Sequence, residues 1–255
     1  MPNILAFDTS SDYCSVALYS QGKLSSKSEL APRSHTQLLL PMAKSIIENN
    51  AIELQDLDAI AFGSGPGSFT GLRIAAGVAQ GLSYGLGCAI LPVSNLQAMA
   101  LQRYREKGEQ EVLVAFDARM DEVYWSVCCV NEVNQCVSVE TYGTEHVSAP
   151  EALFIPDECS KKSFAGVGSG FNFLDRFPVT VQQKMTVMDA EARPQARAIC
   201  ELALSAIQQG ASGKLADAMP RYIRDKVTWK KLPGISRRPM PKGRMLQGYS
   251  VATRL

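Results

Sequence analysis

Two hydrophobic periods alternate along the chain. Residues 3–8 are a short apolar run, residues 9–13 are polar, and residues 14–19 alternate, which predicts strand, turn and strand. Gln21-Gly22 predicts a hairpin turn into a third strand over 23–29. Ser34 stands as the N-cap of a helix running to about residue 50. Its apolar residues, Leu38, Leu39, Leu40, Met42, Ala43, Ile46 and Ile47, cover an arc of roughly 200°, wider than the ~100° stripe of a helix lying on one core. Either the helix is sunk deep in its own fold, or its own sheet and a second surface share it. Residues 57–62 read as a buried strand and 70–86 as another helix. There Gly77, Gly81 and Gly85 recur every four residues and share a face, with Ile74 beside them; Leu72, Ala75, Val78, Ala79, Leu82 and Leu86 form the adjacent aliphatic face. A glycine inside a helix costs about 1 kcal/mol relative to alanine, so three together cost ~3 kcal/mol. Close approach of another backbone, from this chain or from another, supplies a compensating reason.

The pattern then repeats. Residues 88–93 predict a strand, Ser94 caps a helix to about residue 105, and the charged, glycine-containing stretch 105–111 predicts a lobe boundary. Residues 112–116, a polar turn at 117–121, 123–130 and 137–142 restate the opening order of strand, turn with Asp, strand, strand, so the halves are expected to be structural duplicates. A short helix from Ser148, a strand over 163–167 and an amphipathic helix over 194–209 stopped by Gly210 follow. Residues 220–224 predict an extended segment; beyond Lys231 the chain is Pro/Gly/Arg-rich and aperiodic, which predicts disorder. The expected organisation is an N-terminal lobe over 1–107, a C-terminal lobe over 108–231 and a basic tail over 232–255.

Composition narrows this little. The 46% hydrophobic and 20% charged content is that of an ordinary globular protein, and the net charge of +1 gives no global case for nucleic acid or membrane. The charge is uneven, however: eight basic and no acidic residues lie from Lys226 onward, against 18 basic and 25 acidic before it. Seven cysteines without a Cys-x-x-Cys pair predict reduced thiols in a cytoplasmic protein. No signal-peptide pattern precedes Ile4, and no apolar run approaches the ~20 residues that span a bilayer.

The glycine-rich stretch from Gly63 sits between a predicted strand and a predicted helix, the layout of many phosphate sites. It is not a Walker loop, because no lysine lies in it, nor a dinucleotide fingerprint, because Pro66, Gly67 and Ser68 follow Gly65. Ser68 lacks the flanking glycines of a nucleophile elbow and has no partnered histidine. The two histidines, His35 and His146, form no His-x-x-x-His pair, which argues against metal chemistry and against a metalloprotease. No catalytic residue and no metal ligand is predicted. The order strand, Asp8-Thr-Ser-Ser11 turn, strand, hairpin, strand is similar to the opening of actin-like ATPase folds, where the first turn wraps a phosphate. Asp8, Thr9 and Ser10 are therefore the nucleotide-binding candidates.

Gly65-Pro-Gly-Ser-Phe-Thr-Gly-Leu-Arg-Ile74, preceded by Leu57-Asp-Ala-Ile-Ala-Phe-Gly63, resembles the signature of the bacterial TsaB (YeaZ) family of tRNA threonylcarbamoyladenosine biosynthesis proteins. Ile4-Leu-Ala-Phe-Asp-Thr-Ser10, Arg33-Ser-His35 with Leu39-Leu-Pro41, Val93-Ser-Asn-Leu96, Asp117-Ala-Arg119 with Glu122-Val-Tyr124, and Pro220-Arg-Tyr-Ile-Arg224 match in order, over residues 3–231. The resemblance implies an α/β, actin-like (sugar-kinase-like) fold of two lobes, each a mixed sheet flanked by helices. It implies a non-catalytic subunit, partner of the paralogous catalytic subunit TsaD and of the ATPase TsaE, in the complex that forms N6-threonylcarbamoyladenosine at tRNA adenosine 37. In the catalytic paralogue the helix corresponding to the one headed by His35 carries metal-binding histidines; here Leu39 stands where the second is expected. The family's partner contact packs the first two helices as a four-helix bundle with the equivalent pair of TsaD or of a second copy. That makes Leu38, Leu39, Met42, Ala43, Ile46, Ile74, Gly77, Val78, Gly81 and Gly85 the partner-binding candidates. No cofactor of the chain's own is implied; ATP used by the complex is expected at or near the subunit interface, and tRNA is reached through the complex. The alternative is a stand-alone actin-fold ATPase or small-molecule kinase.

Overall fold

The computed structural model describes residues 1–133 and 136–224. The tail over 232–255 therefore lies outside the described residues. Two five-stranded mixed sheets form the frame. The first contains β1 (Ile4–Asp8), β2 (Tyr13–Ser20), β3 (Lys23–Leu30), β4 (Ala59–Gly65) and β5 (Ala89–Ser94), in the order β3-β2-β1-β4-β5. β1–β2 and β2–β3 are antiparallel; β1–β4 and β4–β5 are parallel, with Phe7 opposite Phe62. β4 is buried on both faces, which is why it reads as an uninterrupted apolar run. β3 is a polar edge with Lys23 and Lys27, a composition that discourages edge-to-edge pairing.

Three helices belong to this half. α1 (His35–Asn49) precedes β4, α2 (Phe69–Leu86) joins β4 to β5, and α3 (Asn95–Lys107) follows β5. Ser68 caps α2 by accepting from Gly71 N at 3.3 Å, and Ser94 caps α3 by accepting from Gln97 N, also at 3.3 Å. Ser34 occupies the N-cap position of α1 without a side-chain cap bond. α3 ends at Gly108 (φ 75°), so Arg105–Lys107 are helical and the linker shrinks to residues 108–110.

The second sheet contains β6 (Glu111–Arg119), β7 (Glu122–Val133), β8 (Cys136–Ser148), β9 (Phe164–Val167) and β10 (Met185–Asp189), in the order β10-β9-β6-β7-β8. Its first three strands pair antiparallel, and β9 and β10 add in parallel. This is the topology of the first sheet, so the expected duplication is present. The region from Ser148 holds a 3-10 turn, Pro150–Ala152, where a short helix was expected. β10 was not expected: it is an edge strand whose middle residues are exposed, which leaves no alternation to read. α4 (Val179–Gln182) is one turn long, and α5 (Ala196–Gln208) is the amphipathic helix predicted near the end.

Three cores follow. α1 and α2 cover one face of the first sheet through Leu5, Phe7, Leu39, Ile46, Phe62 and Ala79. α3 and α5 lie between the sheets, with Ile4, Leu96, Met99, Val114, Ile199 and Ala203 in one continuous cluster. The outer face of the second sheet is closed by 3-10 turns and α4 over Trp125, Phe164, Phe171 and Phe177. α5 packs on β1 and β2, so the chain returns to the first sheet after completing the second.

Candidate functional site

Two regions hold the sequence candidates: the polar turn after β1 and the outer face of α1 and α2. At the turn, Asp8 and Thr9 are fully buried and Ser10 is 6% exposed. Asp8 Oδ1 accepts from Ser10 N at 3.1 Å and from Ser10 Oγ at 3.0 Å, and its Oδ2 accepts from Asn95 Nδ2 at 2.8 Å. Asn95 Nδ2 also reaches Ser10 Oγ, while Asn95 Oδ1 accepts from Gly65 N at 3.0 Å. Thr9 Oγ1 donates to Gly71 O at 2.7 Å. Burial pushes the Asp8 carboxyl up to about 7, against the opposing effect of these donors.

The glycine loop meets this turn directly. Ser68 N donates to Ser10 O at 2.8 Å, so the amide that begins the helix, where an anion would sit, is bonded to the chain's own carbonyl. A Cβ at Gly67 would lie 2.7 Å from Ser10 Cβ, and one at Gly71 would clash with the Thr9 carbonyl oxygen. The glycines of the loop therefore serve packing between β1 and α2. The side-chain oxygens of Asp8, Thr9 and Ser10, the nucleotide-binding candidates, are buried and hydrogen-bonded within the chain.

The α1–α2 face is different. Four of the partner-binding candidates are corrected: Leu39 (0% exposed), Met42 (2%), Ala43 (3%) and Ile46 (5%) belong to the chain's own core. Much of the 200° arc is thus filled internally, because α1 sinks onto β2 while α2 flanks it. Leu38 is half-buried and Leu40 is 51% exposed. On α2, Ile74 and Val78 are half-buried, and Gly77, Gly81 and Gly85 are exposed. Among the described residues, apart from the flanking residues and neighbouring backbone of α2 itself, no atom lies within 4 Å of a Cβ built at any of these three glycines. Beside the strip runs a groove of about 740 Å³, lined by Leu40, Pro41, Lys44, Ile47, Leu54 and Leu82.

The sequence reading did not single out the ends of this strip. At the N-terminal end the Arg73 guanidinium lies 3.8 Å from the centroid of the exposed Phe69 ring, and Arg73 Nε donates to Tyr222 Oη at 3.1 Å. At the other end Tyr84 is 79% exposed. Phe69, Arg73, Gly77, Gly81 and Tyr84 follow the helical three-to-four spacing, a signal present in the sequence. Tyr222 belongs to a strap that returns from α5: Arg221 N donates to Ser64 O at 2.7 Å, and Gln80 Nε2 to Ala218 O at 2.5 Å.

Groups able to do chemistry are absorbed elsewhere. His35 Nε2 lies 3.0 Å from Ser11 O, and the His146 ring stacks on Trp125 at 4.3 Å with its pKa lowered by burial. Burial raises the Cys14 thiol to about 11 and the Cys128 and Cys200 thiols to about 12, so none of the three is a thiolate at neutral pH. Among the described residues no group of three His, Cys, Asp or Glu is placed to hold a metal. A second depression, beside Gln102, Arg105 and Glu106, is crossed by ion pairs from Arg105 to Glu132 (2.9 Å) and to Glu201 (2.7 Å).

The family model described as TsaD: tRNA N6-adenosine threonylcarbamoyltransferase matches residues 24–232. The tRNA threonylcarbamoyladenosine biosynthesis protein TsaB of Haemophilus influenzae is 38% identical over 235 residues, 91% of this chain and 97% of that protein. The chain belongs to the TsaB family. The TsaB of Escherichia coli K12 is likewise 38% identical, over 91% of this chain and 98% of its own length. The solved structure of YeaZ from Pseudomonas aeruginosa superposes with a TM-score of 0.80 at 39% identity, covering 87% of this chain and all of that one. With the two matching sheets, this places the chain in the actin-like two-lobe fold and its TsaB family in tRNA threonylcarbamoyladenosine biosynthesis. Among the described residues no helix is long and apolar enough to cross a membrane.

Proposed function

We propose that this chain is the non-catalytic scaffold subunit of the cytoplasmic complex that forms N6-threonylcarbamoyladenosine at tRNA adenosine 37. Its α2 strip and the groove beside α1 dock on the helices of the catalytic paralogue TsaD; TsaE completes the complex. The observation that carries this reading is the open glycine strip. Gly77, Gly81 and Gly85 disfavour the helix by ~3 kcal/mol in sum, and nothing in the described chain packs where their side chains would be. A helix from another chain crossing there gains backbone-to-backbone contact that any Cβ would hold off. Leu40, Ile74, Val78 and Leu82 supply apolar area on either side, and Phe69, Arg73 and Tyr84 are residue types enriched at protein interfaces.

The interior of the chain supports the non-catalytic part of the reading. The Asp8 turn is closed on itself, which supports a chain without a cofactor of its own; on this reading ATP used by the complex binds at or near the subunit interface. A second copy meets the same strip by the same geometry, which gives a homodimer when the paralogue is absent. The test is sedimentation of the purified chain with purified TsaD. A complex that forms with the natural chain and is lost with Gly81→Arg supports docking through α2; equal binding by both would sink it.

A further inference from the structure

Docking through α2 leaves one charge unanswered. Arg73 is the one charged residue of α2, whose first turn carries no acidic side chain. A helical side chain leans toward the N-terminus, and the Arg73 guanidinium accordingly lies back over Phe69, the first residue of the helix. There it adds a positive charge to the positive end of the helix dipole. α3 shows the opposite arrangement: Arg105 and Lys107 stand in its last turn, and Arg105 is paired with Glu132 and Glu201. Among the described residues Arg73 forms no ion pair, and its single hydrogen bond, from Nε to Tyr222 Oη, leaves Nη1 and Nη2 without an acceptor. The cluster is fixed from outside α2. The Tyr222 ring lies 5.5 Å from that of Phe69, and the strap is held on both sides of it, by Arg221 N on Ser64 O at 2.7 Å and by Arg224 Nη2 on Ala118 O at 3.1 Å.

We propose that Phe69, Arg73 and Tyr222 form a carboxylate-binding corner of the docking strip, and that the partner helix crossing the glycines presents an Asp or Glu to the Arg73 guanidinium. This rests on the reading of the α2 strip as the docking surface for TsaD and names the chemistry that the surface selects. With Nε engaged by Tyr222, the two η nitrogens form a planar fork that receives both oxygens of a carboxylate. The aromatic rings hold that fork in place before the partner arrives, so little side-chain freedom is lost on binding. A partner that covers the strip strips water from Arg73, and a cation left without a counter-charge in an interface opposes association. The occupant therefore carries the anion. A second copy of this chain is the poorer occupant: its α2 offers no carboxylate and brings a second Arg73, and Glu48 of its α1 is already paired with Lys44 at 3.7 Å. The corner thus favours a different, acid-bearing chain over self-association.

The test is sedimentation velocity of purified TsaD with the natural full chain, Arg73→Gln, Arg73→Lys and Gly81→Arg, at salt concentrations from about 50 to 300 mM. The corner predicts roughly tenfold or more weaker association for Arg73→Gln at about 100 mM salt, a difference that narrows as salt screens the pair. Arg73→Lys, which keeps the charge but not the fork, should recover part of the loss. Urea midpoints of the Arg73 variants should match the natural chain, because among the described residues Arg73 has no carboxylate to lose. If Arg73→Gln binds TsaD as tightly as the natural chain at every salt concentration while Gly81→Arg does not bind, the proposal is overturned and docking through α2 stands. If Gly81→Arg binds as tightly as the natural chain, the docking reading fails and the corner fails with it. The chains are also sedimented alone: self-association that Arg73→Gln weakens, with TsaD binding unchanged, would assign the corner to a second copy and likewise overturn the proposal.

Discussion

The two sheets share strand order and pairing, yet only the first has its outer face covered by long helices. α1 and α2, of 15 and 18 residues, shield its outer face, and α2 turns a second face outward. The corresponding face of the second sheet is closed by 3-10 turns and the four-residue α4, over aromatic side chains. The turns after the first strands differ in the same way. Asp8 is fully buried and bonded to Ser10 and Asn95, whereas Asp117 caps its own exposed turn by accepting from Arg119 N at 2.7 Å. The strand frame is thus independent of what covers it, and the surface available for docking belongs to one half.

The sharpest way to break this comparison is to treat glycines that look alike in sequence as two classes. Gly71→Ala places a Cβ against the Thr9 carbonyl and should destabilise the chain by about 3 kcal/mol or more in urea unfolding, since backbone on both sides resists relaxation. Next in size is Asp8. Its folded carboxyl holds a proton up to about pH 7, while the unfolded one releases it near 4, so between these values the folded state binds more protons and stability falls as pH rises. Three pH units of displacement correspond to a change on the order of 4 kcal/mol, level above pH 7. Asp8→Asn should flatten the urea midpoint over that window relative to the natural chain. The smallest effect has the opposite sign: Gly77→Ala, Gly81→Ala and Gly85→Ala each meet open space, and each should stabilise the isolated chain by about 1 kcal/mol. A loss of stability in these three would show that the strip is filled within the chain.

Much of this was legible in the sequence, where local periodicity carries the information. The glycine strip, the cap at Ser94 and the repeated strand order are local patterns. The misreadings are long-range. The arc on α1 shows that Leu39, Met42, Ala43 and Ile46 are apolar, but not that β2 and α2 enclose them. The loop from Gly63 has the layout of a phosphate cradle; that Ser10 and Thr9 fill it depends on contacts across about sixty residues of chain, as Thr9 to Gly71 shows. Tyr222, nearly 150 residues beyond Arg73, joins the strip only through the strap that returns from α5.

The central claim is that the open strip of α2 is where the catalytic paralogue docks. Sedimentation velocity of TsaD with the natural chain and with Gly81→Arg tests it most directly, with urea midpoints recorded to show that both chains are folded. The account predicts a complex with the natural chain, at least a hundredfold weaker association with Gly81→Arg, and closely similar midpoints. A folded Gly81→Arg chain that binds TsaD as tightly as the natural one would contradict it.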